Sequence, residues 1–163
     1  LHGPHPTSQA AVCELDDLVS DAVATIAPLA AAADVDVLAG DLAGVTVEVD
    51  PRAVTRAVTN VLRNALQHTP AGGRVIVTTQ VRGGHVVVDV SDGCGGIAAG
   101  DLEHVFEPGW RGDESRHDRG MGLGLTIARE VARSHGGDAV ATNRADGTGC
   151  TVTLSLPTRD GYR

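Results

Sequence analysis

The sequence predicts a single domain with an α/β fold, a two-layer sandwich in which three helices pack on a mixed, mostly antiparallel sheet. Three segments place apolar residues at helical spacing, and the Val-rich segments come in pairs joined by short turns, as in hairpins. A doubly wound parallel sheet would instead alternate strand and helix along the whole chain. The length of 163 residues fits one domain, since domains average about 150 residues.

The helices are predicted from their periodicity and their end signals. They cover residues 16–33, 50–68 and about 122–136. Pro28 is expected to bend or shorten the first helix. Asp50 and Pro51 start the second, an N-cap acid followed by Pro at the first helical position, and Thr69-Pro70 stops it.

Six short segments rich in Val and Thr are predicted as strands. They cover residues 35–38, 45–49, 75–81, 86–92, 139–143 and 150–156. We expect the domain to span 13–157, after a Gly- and Pro-rich linker at 1–12 and before a tail at 158–163. Residues 106–120 are rich in Gly and charge and lack periodicity, which predicts a surface loop.

Composition excludes several classes of function. All 13 basic residues are Arg, and a P-loop, a pyridoxal enzyme and a eukaryotic-type protein kinase each require a Lys. The net charge of −8 argues against nucleic acid and an anionic membrane as partners. The three cysteines form no CxxC pair, so we expect neither a disulfide framework nor a zinc site, and a reducing, cytoplasmic setting. No apolar run is long enough to span a membrane.

Polar side chains occupy one face of the second predicted helix. Asn60 and Asn64 lie one turn apart, His68 lies one turn further, and all three face away from the apolar arc. An ordinary solvated face is the alternative interpretation. Asn is a poor helix former, however, so two of them at this spacing favour a functional reason.

Two glycine-rich segments also carry chemistry. The first, Asp92 to Ile97, follows a Val-rich strand, where a carboxylate beside bare backbone can receive a flat ligand with an amino group. The second, Gly120 to Leu125, leads into the third helix and offers free backbone N–H groups for phosphates. An ordinary turn and a purely structural helix start are the respective alternatives.

Taken together, these segments resemble the ATP-binding catalytic domain of bacterial sensor histidine kinases, in the GHKL superfamily that includes gyrase and the MutL repair proteins. The resemblance covers residues 13–157 and implies a Bergerat-type ATP-binding fold. The matching motifs, in the family's order, are the N box at 60–70, the first glycine box at 92–97, the F box at 106–108, the second glycine box at 120–125 and a last box at 147–151.

The resemblance implies a role for each position. Asn64 would ligate Mg²⁺, Asp92 would bind the adenine amino group, and Asn60 and His68 would contact phosphate or ribose. Thr151 would support the adenine through its hydroxyl. The remaining nucleotide-binding positions would be the glycine-box residues Gly96, Ile97, Gly120, Gly122, Leu123, Gly124 and Leu125. The ATP lid would span 107–119, anchored by Phe106, and one of its arginines Arg111, Arg116 and Arg119 would reach the γ-phosphate.

The residue four positions before the Mg²⁺-binding Asn indicates phosphoryl transfer. ATPases of the superfamily have a water-activating Glu there, whereas this chain has Asn60, which cannot act as a base. The resemblance therefore implies a kinase domain that donates phosphate to a His on a preceding dimerisation domain, and from there to a response regulator. This chain lacks that acceptor, so we expect no autophosphorylation. We expect a cytoplasmic domain of a membrane-anchored sensor kinase that itself touches neither membrane nor nucleic acid.

Two positions depart from the family pattern. Cys94 stands where the first glycine box has Gly, and Gln67 stands where the N box often has a phosphate-directed Lys. Two alternatives stay open. The chain length also fits an anti-sigma-factor-type serine kinase, which has the same fold as a short free-standing chain. The two departures leave open a degenerate nucleotide-binding scaffold without activity.

Overall fold

The computed structural model describes residues 9–93, 96, 99–102, 104–108, 124–145 and 147–159. Within these residues it contains seven strands, three α-helices and a short 3₁₀ turn at Ala99–Asp101. The strands are β1 (Ala11–Glu14), β2 (Asp36–Ala39), β3 (Thr46–Val49), β4 (Arg74–Arg82), β5 (His85–Asp92), β6 (Asp138–Asn143) and β7 (Cys150–Pro157). The helices are α1 (Leu15–Ala33), α2 (Pro51–His68) and α3 (Gly124–Ser134).

The main sheet has five strands in the order β2-β4-β5-β7-β6. Only the β2–β4 pair is parallel, and the other three pairs are antiparallel. The helices cover one face of this sheet, and their buried side chains join the inward-facing residues of β4, β5 and β7 in one core. The predicted two-layer sandwich with a mixed, mostly antiparallel sheet is confirmed.

Helix α2 begins where the sequence predicts because Asp50 caps it. One Asp50 carboxylate oxygen accepts hydrogen bonds from the backbone N–H groups of Arg52 (3.1 Å) and Ala53 (3.2 Å), while Pro51 occupies the first turn, where it needs no N–H partner. The apolar arc of α2 is fully buried, with Val58 and Leu62 completely inaccessible. Helix α2 packs against both α1 and α3, so its opposite arc is available at the surface of the helical layer.

His135, just after α3, connects the C-terminal end of this helix to the start of α2. Its Nδ1 lies 2.8 Å from the Val131 carbonyl oxygen, and its Nε2 accepts the backbone N–H of Asp50 at 3.1 Å. A carbonyl oxygen can only accept, so Nδ1 carries the proton. His135 thus caps the C-terminal end of α3 and joins it to the start of α2.

Several elements differ from the predicted bounds by a few residues. Strand β1 begins at Ala11, inside the expected linker, and pairs with β3 as a separate antiparallel two-stranded sheet. Helix α1 ends at Ala33 as predicted and is not shortened at Pro28, because Ile26 and Ala30 on either side of the Pro are buried in the core. Helix α3 ends at Ser134, before the predicted end at about residue 136. Among the described residues, no helix is both long and apolar enough to cross a bilayer.

Candidate functional site

A cavity of about 830 Å³ opens over α2 and reaches from α1 to the first residue of α3. Asn60, Asn64 and Gln67 line it from α2, and Gly124 and Ile127 line it from α3. Four of the residues singled out in the sequence therefore meet at one place: Asn60, Asn64, Gln67 and Gly124. The structure brings them together because α2 turns its polar arc toward the start of α3 while its apolar arc packs on the sheet.

Asn60 carries an unsatisfied group into this cavity. Its Nδ2 atom is buried and has no hydrogen-bond partner among the described residues. Gly124 lies directly against Asn60, since a Cβ on this glycine would be 3.7 Å from the Asn60 Cβ. An unpaired buried N–H group costs about 1–3 kcal/mol. A bound acceptor such as a phosphate oxygen would remove that cost.

Asp92 ends β5 and is only 4% exposed. Its cross-strand partner on β7 is Cys150, whose Sγ lies 3.3 Å from the Asp92 Oδ1 atom. The chain approaches so closely here that a Cβ on Gly149 would lie 1.8 Å from the Asp92 carbonyl oxygen. A buried carboxylate at the end of a strand, next to glycines, is suited to accept hydrogen bonds from a planar amine.

Thr151 lies on the other face of the sheet. Its hydroxyl is 2.9 Å from the Ser91 hydroxyl, and both residues line a separate hollow of about 450 Å³ with Ile76 and Arg144. The structure thus brings Cys150, and not Thr151, to Asp92. Sequence reasoning missed Cys150, although strand alternation with the buried Val152 puts position 150 on the inner face.

Cys150 also differs from the expectation for the cysteines. It is disulfide-bonded, whereas Cys13 is a free thiol. Burial, together with the nearby carboxylates of Asp17 and Glu14, raises the pKa of Cys13. The prediction that the cysteines form no disulfide is therefore wrong at Cys150. Cys94 lies outside the described residues.

Phe106 is fixed to the start of α3. Its ring is buried and lies under the Arg129 guanidinium, 5.0 Å from the ring centroid. Its carbonyl oxygen accepts a hydrogen bond from the Thr126 hydroxyl at 2.6 Å. These contacts give the segment that precedes the expected lid a firm attachment to α3.

The other predicted positions have varied locations. Gly96 has a φ of +98°, a conformation that favours glycine, and packs near Asn143 and the backbone of Gly147. His68 is exposed at the end of α2, and the Leu125 side chain is buried in the core, so only its backbone can face a ligand. The remaining predicted positions lie outside the described residues: Ile97, Arg111, Arg116, Arg119, Gly120, Gly122 and Leu123.

Comparison with known families decides the classification. Residues 49–160 match the model of the histidine kinase-, DNA gyrase B- and HSP90-like ATPase family. The chain belongs to this family. This match covers α2, β5 with Asp92 at its end, α3, β6 and β7, which together hold the site described above.

Similar curated proteins are sensor histidine kinases. The chain is 36% identical over 146 residues to the sensor-like histidine kinase SenX3 of Mycobacterium tuberculosis, which covers 88% of this chain and 35% of SenX3. It is 38% identical over 150 residues to the sensor histidine kinase RppB of Synechocystis. This aligned region covers 90% of this chain and 33% of RppB. The chain thus spans about a third of the length of these relatives.

Solved structures agree in fold. The mycobacterial sensor histidine kinase MprB matches with a TM-score of 0.82 at 28% identity, covering 91% of this chain and 99% of that one. The catalytic domain of histidine kinase ThkA matches with a TM-score of 0.79, and the match covers 91% of this chain and 95% of the ThkA domain. At 21% identity this likeness concerns the fold alone.

The chain is an ATPase-type catalytic domain of the sensor histidine kinase group. The alternatives of an anti-sigma-factor kinase and an inactive scaffold are not supported.

Proposed function

We propose that this domain binds Mg·ATP and donates the γ-phosphoryl group to a His on a separate phosphoacceptor domain. The observation that carries the proposal is the buried, unpartnered Nδ2 of Asn60 against the first residue of α3. A helix start presents free N–H groups and the positive end of the helix dipole. An amide donor facing that helix end suits the oxygens of a triphosphate.

Each residue has a distinct role in this proposal. The Asp92 carboxylate accepts from the adenine amino group, and Gly96 allows the base to approach. Asn60 and His68 bind phosphate or ribose. The backbone N–H groups that surround the phosphates come from Gly120, Gly122, Leu123, Gly124 and Leu125. Ile97 lies in the first glycine box beside the base, and Arg111, Arg116 or Arg119 binds the γ-phosphate. Thr151 has no part in it, because its hydroxyl bonds Ser91 on the other face.

The residues present fit Mg²⁺ that arrives with the nucleotide. The ion prefers oxygen ligands and is often held by one or two protein groups together with substrate phosphates. Asn64 offers a carboxamide oxygen in the cavity, while no cluster of His, Cys, Asp or Glu in the described part of the chain could hold a metal unaided. When bound, the ion supplies charge neutralisation at the phosphates.

Asn60 also bears on the type of reaction. A carboxamide has no basic lone pair to take a proton from water, so the site lacks a base for hydrolysis at that position. A site that holds the phosphates but does not activate water preserves ATP until an acceptor arrives. This supports transfer over hydrolysis.

The partners follow from the same reaction. The acceptor is the His-bearing dimerisation domain of a parent sensor kinase, anchored in the membrane with this domain on the cytoplasmic side, and the next recipient is a response regulator. One structural neighbour, full-length ShkA, was solved in complex with AMPPNP, and another, ThkA, with the response regulator protein TrrA. These likenesses support the choice of nucleotide and partner class.

A labelling experiment tests the proposal. With γ-labelled ATP and Mg²⁺, the chain alone should acquire no label, and adding the phosphoacceptor domain of SenX3 should give acid-labile label on that domain. Asn64→Ala should abolish transfer, whereas Gln80→Ala, which alters an exposed carboxamide on the sheet, should not. Label on the chain itself, or steady release of inorganic phosphate, would overturn the proposal.

A further inference from the structure

The exposed ridge of α2, formed by Arg52, Arg56, Arg63 and Gln67, carries positive charge in an acidic chain. The helix contains three arginines, Arg52, Arg56 and Arg63, and no Asp or Glu, whereas the whole chain has a net charge of −8. All three arginines are exposed and line the cavity that holds Asn60 and Asn64. The cavity is therefore basic along one wall.

Arg56 and Arg63 are the nearest basic neighbours of Asn60 on α2. Arg56 precedes Asn60 by four residues and Arg63 follows it by three. Side chains at these spacings are neighbours on a helix surface, with Cβ atoms about 5–6 Å apart. Asn60 thus lies between Arg56 and Arg63 along the surface of the helix. Arg52 is a full turn further away, about 12 Å from Asn60 along the helix axis.

Among the described residues, no carboxylate forms an ion pair with either of these two arginines. Within the described residues, the ion pairs are those of Arg82, His104, Arg129 and Arg133, and neither Arg56 nor Arg63 takes part in one. Asp21 of α1 also lines the cavity, but it forms no ion pair with either arginine. The guanidinium groups are therefore available to an anion in the cavity.

Gln67 lies one turn after Arg63 on the same ridge. The resemblance to histidine kinases places a phosphate-directed Lys at this position, so this chain lacks one positive charge there. We propose that Arg56 and Arg63 bind the phosphates of the nucleotide and supply the charge that Gln67 does not. This inference rests on the proposed function and assigns it two further phosphate-binding residues. Arg suits this role, because its planar group binds phosphate oxygens in pairs.

Calorimetric titration with AMPPNP and Mg²⁺ tests the inference. Arg56→Gln and Arg63→Gln should each weaken binding roughly tenfold, as expected for the loss of a charged hydrogen bond. Arg52→Gln should weaken it less. Arg74→Gln, which removes an exposed arginine outside the cavity, should leave the affinity unchanged. The double variant should also lose most of the salt dependence of binding.

Two further variants separate charge from structure. Arg56→Lys and Arg63→Lys should recover part of the affinity, because they keep the charge but lose the paired geometry, and thermal melting should show all variants folded. If the folded double Gln variant binds AMPPNP as the wild type does while Asn64→Ala does not bind, the inference is wrong and the proposed function stands. If the wild type binds no nucleotide, both fail.

Discussion

The Asp92 carboxylate lies 3.3 Å from the sulfur of Cys150, its partner across the β5–β7 ladder. This contact joins the residue expected to select adenine to a disulfide-bonded cysteine on the neighbouring strand. Cys150 is thus held by a covalent bond as well as by strand pairing. The oxidation state of Cys150 should affect the stability of the domain.

Reducing agent should lower the melting temperature of the wild type. A disulfide contributes about 2–4 kcal/mol, largely by restricting the unfolded chain. Cys150→Ser should melt at the same temperature with and without reducing agent, whereas Cys13→Ser, which removes the free thiol, should keep the wild-type response. Equal melting of the wild type in both conditions would show that the crosslink does not form in solution.

Gly149→Ala should destabilise the domain by about 3 kcal/mol. The added Cβ would lie 1.8 Å from the Asp92 carbonyl oxygen, so the start of β7 must move away from β5, and overpacking of this kind typically costs 1–3 kcal/mol. Gly100→Ala is the matched control, because a Cβ there meets no atom within 4 Å. Urea denaturation of both variants measures the difference, and equal midpoints would contradict the close approach.

His135→Phe should cost about 1–2 kcal/mol. The substitution keeps a ring of similar size but leaves the Asp50 backbone N–H without the acceptor that His135 Nε2 provides. His85→Phe, at the exposed first residue of β5, serves as the control and should have little effect. Thermal melting monitored by circular dichroism distinguishes the two, and an equally stable His135→Phe variant would argue against the bridge.

Asp138 should stabilise the fold at neutral pH and lose that effect in acid. Partial burial acts to raise its pKa, but hydrogen bonds from Arg129, the Ala139 N–H and Arg133 outweigh it and lower the pKa to about 2. Because the folded pKa lies below the ordinary value of 3.8, the stabilisation is present above pH 3.8 and disappears as the pH falls toward 2.

The Asp138→Asn variant tests this direction of the pH dependence. Its melting temperature should lie below that of the wild type at pH 7. The difference between the two melting temperatures should become smaller as the pH is lowered from 4 toward 2. Asp36→Asn, at an exposed position on β2, controls for the loss of one negative charge. If the difference in melting temperature stays constant over this range, the ion pairs with Arg129 and Arg133 do not set the pKa of Asp138.

Local sequence signals were sufficient for most of the fold. The Asp50-Pro51 start and the apolar arc define α2 because capping and burial act within one element. The two-stranded β1–β3 sheet could not be predicted, since a short strand such as Ala11–Glu14 is stabilised by a distant partner. Pro28 was expected to bend or shorten α1, but the helix continues past it to Ala33, with buried residues on both sides of the Pro.

The site was predictable where one helix carries it. Asn60 and Asn64 follow from the helical repeat of α2, and their cavity is observed. Motif matching placed Thr151 at the adenine with Asp92, whereas the structure places Cys150 beside Asp92. A shift of one residue in a strand moves a side chain to the opposite face of the sheet, and this limits motif matching in strands. The register of β7 against Asp92 decides that point, and it depends on a contact 58 residues apart in sequence.

Nucleotide titration of the purified domain tests the central claim most directly. ADP and AMPPNP would be titrated with and without Mg²⁺ into the wild type, Asp92→Ala and, as a carboxylate control on the outer face of the same strand, Asp89→Ala. We expect binding to the wild type and to Asp89→Ala, stronger for AMPPNP when Mg²⁺ is present, and no binding to Asp92→Ala. Undiminished binding to a folded Asp92→Ala, or no binding to the wild type, would contradict the assignment of this site.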